Sequence, residues 1–331
     1  MPKTIVAVTA IIAFVLSGVA GCGGGALKSA EKVTIGVVPW PASASLYIAD
    51  EKGYFRDEGL DITLYSYASG HLGLADVLAG KADLAAAGDT PIARAALDGK
   101  PLAVVVTLSE IDRAILIIAR KDRGISVADD LKGKRIGVVS GTTADFFLHV
   151  YLATSYISLQ DIQVVNLEAD KLVDALLSGE VDAVSTWSPH TLVLRDQLGS
   201  NARVLDDPGL YTMTWDIVAT QEFSKSNPER IKRFLRAVVR ANSFITEHPD
   251  EARAISAKYI GADSPLYEQE WNDYRFTARL DESLILNLED QARWMVKAEA
   301  GSAQRRPNFL DLIYTEGLKA AQPEGIGITG K

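Results

Sequence analysis

The chain has 331 residues, 47% of them hydrophobic and 23% charged, with a formal net charge of −9. That length and balance suit one large α/β domain or two lobes, and they exclude both a disordered chain and a polytopic membrane protein. The acidic balance, with no basic cluster larger than Arg305-Arg306, excludes a nucleic-acid footprint.

The first 22 residues run from Lys3 through an apolar stretch, Ile5 to Leu16, to Ser17-Gly18-Val19-Ala20-Gly21-Cys22. The stretch is too short to span a bilayer and matches the charged start, short core and small-residue end of an export signal. Val19-Ala20-Gly21-Cys22 resembles the bacterial lipobox, whose cysteine is acylated after cleavage. It predicts a signal peptide over 1–21 and lipidation of Cys22. Because Cys22 is the only cysteine, a disulfide framework, a cysteine-based metal site and a thiol nucleophile are excluded together. Three glycines, Gly23 to Gly25, and a polar stretch to Lys32 read as a flexible tether over 22–32.

From Val33 the pattern is strand, helix, strand, helix, strand: Val33–Val38, a helical stretch holding Leu46 and Phe55, then Ile62–Tyr67, Leu72–Leu78 and Ala82–Ala86. The order returns about one hundred residues later as Lys134–Val139, Thr143–Ala153, Ile162–Leu167, Leu172–Leu177 and Val181–Thr186. Ile35-Gly36-Val37-Val38 recurs as Ile136-Gly137-Val138-Val139, and Leu78-Ala79-Gly80-Lys81-Ala82-Asp83 as Leu177-Ser178-Gly179-Glu180-Val181-Asp182. Alternating strands and helices, used twice, predict two similarly built α/β lobes with mainly parallel sheets. Ile115–Ala119 and Thr214–Ala219 bracket the second copy and read as lobe-connecting strands. These place lobe 1 at 33–118 plus 218–331 and lobe 2 at 119–217. From Pro228 the pattern is helical: Ile231–Ile245, Pro249–Tyr259, Ser283–Ala298 and Leu310–Ala320.

Ligands of open α/β sheets bind beyond the carboxyl ends of strands, where helix N-termini attract anions. Hydroxyl-rich loops stand at those places: Ser69-Gly70, Asp89-Thr90-Pro91, Gly141-Thr142-Thr143 and Ser188-Pro189. Each is also ordinary capping chemistry. Trp40 and Trp187 sit in equivalent loops as candidate pocket walls. Asp216, in the alternating run Met213 to Val218, is either a solvated edge charge or a cleft carboxylate paired with a ligand amine or Arg113. The four histidines, His71, His149, His190 and His248, lack metal-ligand spacing, and no hydrolytic triad or phosphate loop is readable.

Six pieces occur in order: Gly53-Tyr54-Phe55, Glu58-Gly59-Leu60-Asp61-Ile62, Ala79-Gly80-Lys81-Ala82-Asp83, Asp130-Leu131-Lys132-Gly133-Lys134-Arg135-Ile136, Gly179-Glu180-Val181-Asp182-Ala183 and Pro228-Glu229. Together they resemble the nitrate, sulfonate, taurine and bicarbonate class of periplasmic binding proteins, which includes relatives binding thiamine-pyrimidine precursors. The resemblance covers essentially the whole mature chain. It implies a two-lobed type II periplasmic-binding-protein fold that closes on one small anionic or zwitterionic ligand, sulfonate- or taurine-like before nitrate or a pyrimidine precursor. Delivery would be to an ABC permease driven by its ATPase. It further implies a monomer without cofactor, held to the membrane by its lipid alone. The ligand contacts it suggests are Trp40, Ser69, Asp89, Thr90, Thr142, Thr143, Trp187 and Asp216. One departure is Ser155-Tyr156-Ile157, where the family usually closes a helix with glycine. The fold also hosts desulfinases with a cysteine nucleophile and pyrimidine synthases with a Cys-rich segment. Neither residue set exists here, so an enzyme is not expected; a lipid-anchored sensor remains the alternative to an importer.

Overall fold

The computed structural model describes residues 30–262, 265–298 and 307–328. Cys22 and the expected signal peptide lie outside the described residues, and the first strand already begins at Glu31, within the stretch read as tether. The first lobe opens with β1 (Glu31–Val37), α1 (Ala44–Glu51), α2 (Tyr54–Asp57), β2 (Leu60–Ser66), α3 (Gly70–Leu78), β3 (Leu84–Gly88), α4 (Asp89–Leu97) and β4 (Leu102–Ile111). The second lobe holds β5 (Ile115–Arg120), β6 (Arg135–Val138), α5 (Thr143–Thr154), β7 (Gln163–Asn166), α6 (Leu172–Ser178), β8 (Ala183–Trp187), α7 (His190–Leu198) and β9 (Ala202–Leu205). The chain returns to the first lobe through β10 (Met213–Thr220), α8 (Gln221–Ser226), α9 (Pro228–Glu247), α10 (Pro249–Ile260), α11 (Pro265–Trp271), β11 (Tyr274–Asp281), α12 (Glu282–Ala298), α13 (Glu316–Ala321) and β12 (Ile326–Gly327).

The two sheets run β12-β11-β4-β10-β3-β1-β2 and β7-β6-β8-β5-β9. The run β2-β1-β3-β10 of the first recurs as β7-β6-β8-β5 in the second. In both, three strands are parallel and the fourth is antiparallel. The sheets are therefore mixed, the antiparallel strands being those that carry the chain into and out of the second lobe. Because β5 pairs only with β8 and β9, and β10 only with β3 and β4, the chain crosses at 112–114 and 206–212. The boundaries expected at 118/119 and 217/218 thus shift by several residues. The C-terminal part is not purely helical either: β11 adds an edge to the first sheet beside β4. The helix expected over Leu310–Ala320 is broken where Tyr314 donates its N–H to Val104 at 2.9 Å.

The sequence echo has a physical cause. A Cβ on Gly36 would lie 3.0 Å from the Tyr67 ring, and one on Gly137 would lie 2.9 Å from Leu167. In each lobe neighbouring groups thus lie against the first parallel strand so closely that a side chain there would force them to shift. Asp83 Oδ2 accepts the Thr34 N–H at 2.8 Å, and Asp182 Oδ2 accepts the Arg135 N–H at 3.0 Å. Each carboxylate ties the third strand's start to the first strand at the equivalent place. Tyr156, where glycine was expected, does stand at φ +57° and is almost fully exposed. The Ile157 N–H reaching Leu152 O at 2.8 Å completes the helix-end turn that glycine usually makes.

The crossings are stitched together. Thr212 Oγ1 donates to Asp112 at 2.7 Å, and Arg113, which does not meet Asp216, pairs with Asp206 at 2.6 Å. Across the cleft the lobes touch through rings: Phe146 on α5 lies edge-on to Tyr211 at 5.2 Å and to Trp294 of α12 at 5.3 Å, with His149 4.9 Å from Trp294. The lobes are closed on each other.

Asp182 is nearly buried and also pairs with the Arg135 guanidinium at 2.8 Å. Asp182→Ala would strand a backbone N–H and lower unfolding stability by about 1–3 kcal/mol, read as a lower urea midpoint. An unchanged midpoint would show that the carboxylate is not a strand tie.

Candidate functional site

Three loops of the first lobe and two of the second meet at a cavity in the cleft. Trp40, just after β1, and Trp215 on β10 form one corner, edge to face at 4.9 Å. Trp215 is fixed by its Nε1 donating to Ser43 Oγ at 2.9 Å. Gly70 is required there, since a Cβ would lie 3.0 Å from both the Trp215 ring and Ala87 Cα. Trp187, at the end of β8, supplies the third indole from the opposite lobe.

The polar part of the wall is Ser69 and His71 at the start of α3, and Thr142 and Thr143 at the start of α5. Neither helix start is capped by its N-cap side chain. Ser69 Oγ is 2.6 Å from His71 Nδ1, and Thr142 Oγ1 donates back to Val139 O at 2.7 Å. First-turn N–H groups are therefore left without a side-chain acceptor on two helices that face one cavity, the arrangement that favours an anion. Among the described residues no carboxylate, lysine or arginine lines it and His71 is the one ionisable side chain in the wall; burial lowers its pKa against the opposing influence of Glu168. The cavity volume is about 30 Å³, room for roughly two waters. Among the described residues no cluster of three or more metal-ligating side chains exists.

Of the residues singled out from sequence, Trp40, Ser69, Thr142, Thr143 and Trp187 line this cavity, whereas Asp89, Thr90 and Asp216 do not. The reason is strand parity. Met213 and Trp215 face the cavity, so Thr214 and Asp216 face the other way. Asp216 is fully buried there, accepting from Thr107 Oγ1 at 2.5 Å and Thr214 Oγ1 at 2.8 Å. Asp89, the first residue of α4, is fully buried, accepting from the Tyr211 hydroxyl and from the Thr90 N–H at 2.9 Å. Trp215 and His71 were missed by sequence reading. The parity of β10 would have exchanged Asp216 for Trp215, and His71 stands on the first turn opened by Ser69.

Burial without a cation pushes Asp216 up to about 8 and Asp89 up to about 6, hydrogen bonds opposing the shift in both. Asp216 then keeps a proton in the folded state that the unfolded chain has released above about pH 4. Its contribution to stability is full below that pH and is lost as pH rises through about 8. Wild type should therefore lose thermal midpoint relative to Asp216→Asn as pH climbs from 5 to 9. A constant gap would mean that the carboxyl is ionised throughout. Closure has its own test, because a Cβ on Gly88 would lie 2.8 Å from Thr143 Oγ1. Gly88→Ala should hold the lobes apart, giving a larger radius of gyration in solution scattering with little change in melting. An unaltered scattering curve would refute that.

The family model described as NMT1/THI5 like matches residues 40–252. A Bacillus subtilis (strain 168) protein, provisionally named an aliphatic sulfonates-binding protein, is 28% identical over 276 residues, covering 81% of each chain. In fold, the chain is similar to the alkanesulfonate-binding protein SsuA from Xanthomonas axonopodis pv. citri bound to MOPS, with a TM-score of 0.74 at 22% identity over 86% of this chain and 98% of that one. It is also similar to the desulfurization enzyme DSZB, at a TM-score of 0.66 and 18% identity over 89% and 99%. These solved neighbours place the chain on the periplasmic-binding-protein fold, and with a family model matching more than half of its length the protein belongs to the NMT1/THI5-like family.

Proposed function

We propose that the protein is the extracytoplasmic solute-binding lipoprotein of an ABC importer, and that it captures a small sulfonate-type anion between its lobes without chemical turnover. The observation that carries this is the pair of helix starts, α3 and α5, uncapped by their N-cap side chains and facing across a tryptophan-walled cavity that no carboxylate among the described residues lines. Helix N–H groups and hydroxyls suit the three oxygens of a sulfonate, and the indoles suit a short alkyl chain. The sulfonate relative's name accords with that chemistry. Anchoring through Cys22, export, and delivery to a permease and its ATPase belong to the same proposal and rest on the lipobox-like run and the family.

Two details refine it. A taurine-like ammonium would find no counter-charge in the wall, because Asp216 and Asp89 face away from the cavity. An unsubstituted alkanesulfonate is therefore the better fit. Turnover is disfavoured because the one hydroxyl–imidazole contact of the cavity, Ser69 with His71, has no carboxylate hydrogen-bonded to the ring among the described residues.

Titration calorimetry with ethanesulfonate, taurine and nitrate tests this. Ethanesulfonate should bind tightest, and at one hundred times its Kd should stabilise the fold by about 2.7 kcal/mol. Replacing Thr142 and Thr143 by alanine should abolish most of that shift while the ligand-free midpoint stays nearly constant, since neither hydroxyl caps the helix. Taurine binding tighter than ethanesulfonate would overturn the preference, and no binding of either would overturn the sulfonate class.

A further inference from the structure

Resting on that sulfonate proposal, we infer that His71 is the specificity-determining charge of the cavity: it takes up a proton as the anion enters, so that capture is coupled to protonation. Among the described residues His71 is the only ionisable side chain in a wall otherwise built of indoles, hydroxyls, glycines and the apolar Val38, Pro91, Ile115 and Met213. Its Nδ1 is held by Ser69 Oγ at 2.6 Å, which fixes the ring, while its Nε2 has no hydrogen-bond partner among the described residues. That leaves one ring nitrogen of a cavity-lining residue available to a ligand.

Charge decides what that nitrogen does. The half-buried ring is disfavoured as a cation while the cavity holds no anion, burial outweighing the attraction of Glu168 from the second lobe. Other charged groups near the cleft are engaged elsewhere. Asp76 on the same helix bonds Tyr67 and Lys81, Asp145 of α5 accepts the Gly141 N–H, and Asp89 and Asp216 are enclosed in their own hydroxyl network. An anion within hydrogen-bond reach supplies the counter-charge that burial removed, and raises the affinity of the ring for a proton by the ordinary effect of an opposite charge at short range. The protonated ring donates through both nitrogens and adds a charge-assisted bond to the two helix starts. The competing explanation is that His71 only occupies the Ser69 hydroxyl at the helix start, in which case no proton moves.

Ethanesulfonate is a suitable probe because it stays ionised throughout and cannot itself supply or take up the proton. Calorimetry of the full chain from pH 5.5 to 8.5, in buffers of different ionisation heat, should show affinity rising as pH falls, by up to about tenfold per pH unit. Proton uptake should approach one per ligand within that window. His71→Gln should bind with pH-independent affinity and no uptake. Wild-type binding that is independent of pH, or uptake that persists in His71→Gln, would overturn the inference. If the variant does not fold, the wild-type His71 ring resonances decide: they must move from neutral to protonated positions on adding ethanesulfonate at constant pH, and their failure to move overturns it equally. Absence of any binding by wild type would instead refute the sulfonate proposal, and with it this one.

Discussion

A Cβ at residue 88 would stand 2.8 Å from Thr143 Oγ1 of the opposite lobe, so with the lobes together a side chain there would force that hydroxyl to move. That single close approach sets the rest. It puts the end of β3, with α4 beginning at the next residue, against the start of α5, so that the N-termini of helices from separate lobes bound one space. A helix start offers only part of a unit charge, and offers it over a short range. Two of them therefore need to be brought within one small volume before they can compete with water for an anion. Glycine at this position eases the approach, and the ring contacts of Phe146 with Tyr211 and Trp294 add apolar contact between the lobes.

Behind the wall lies a second constraint. Asp89 and Asp216 are completely buried with hydroxyl and N–H partners, and among the described residues no cation pairs with either. Ionised, two carboxylates this close to the cavity would oppose any anion in it. Asp216, pushed up to about 8, keeps its proton near neutral pH, and with Asp89, pushed only to about 6, it belongs to a hydrogen-bonded frame that pins β10 and the returning crossing beside Tyr211. The electrostatic character of the pocket thus depends on groups that do not touch it.

Much of this was legible beforehand, and for physical reasons. The twofold repeat could be read because glycine and aspartate were placed by backbone constraints that recur in each lobe: close crossing at Gly36 and Gly137, and strand ties at Asp83 and Asp182. Trp40, Ser69, Thr142, Thr143 and Trp187 could be proposed because all stand at or just beyond strand ends, which topology sends to one side. What could not be read was which face of β10 looked inward. Both parities of Met213 to Val218 place apolar and polar residues plausibly, and only the pairing with β3 and β4 selects one. The sheet extension by β11 was hidden for a similar reason, since its partner β4 is distant in sequence and its own pattern is not a clean alternation.

The ring contacts of Trp294 have a consequence beyond cohesion. Its indole sits at the seam, near Phe146 and His149 of the other lobe, and an imidazole beside an indole quenches its fluorescence most strongly when protonated. Parting of the lobes would take the quencher away. Trp294 thus has an emission of its own that depends on the seam, rising as His149 and Phe146 move away from its ring.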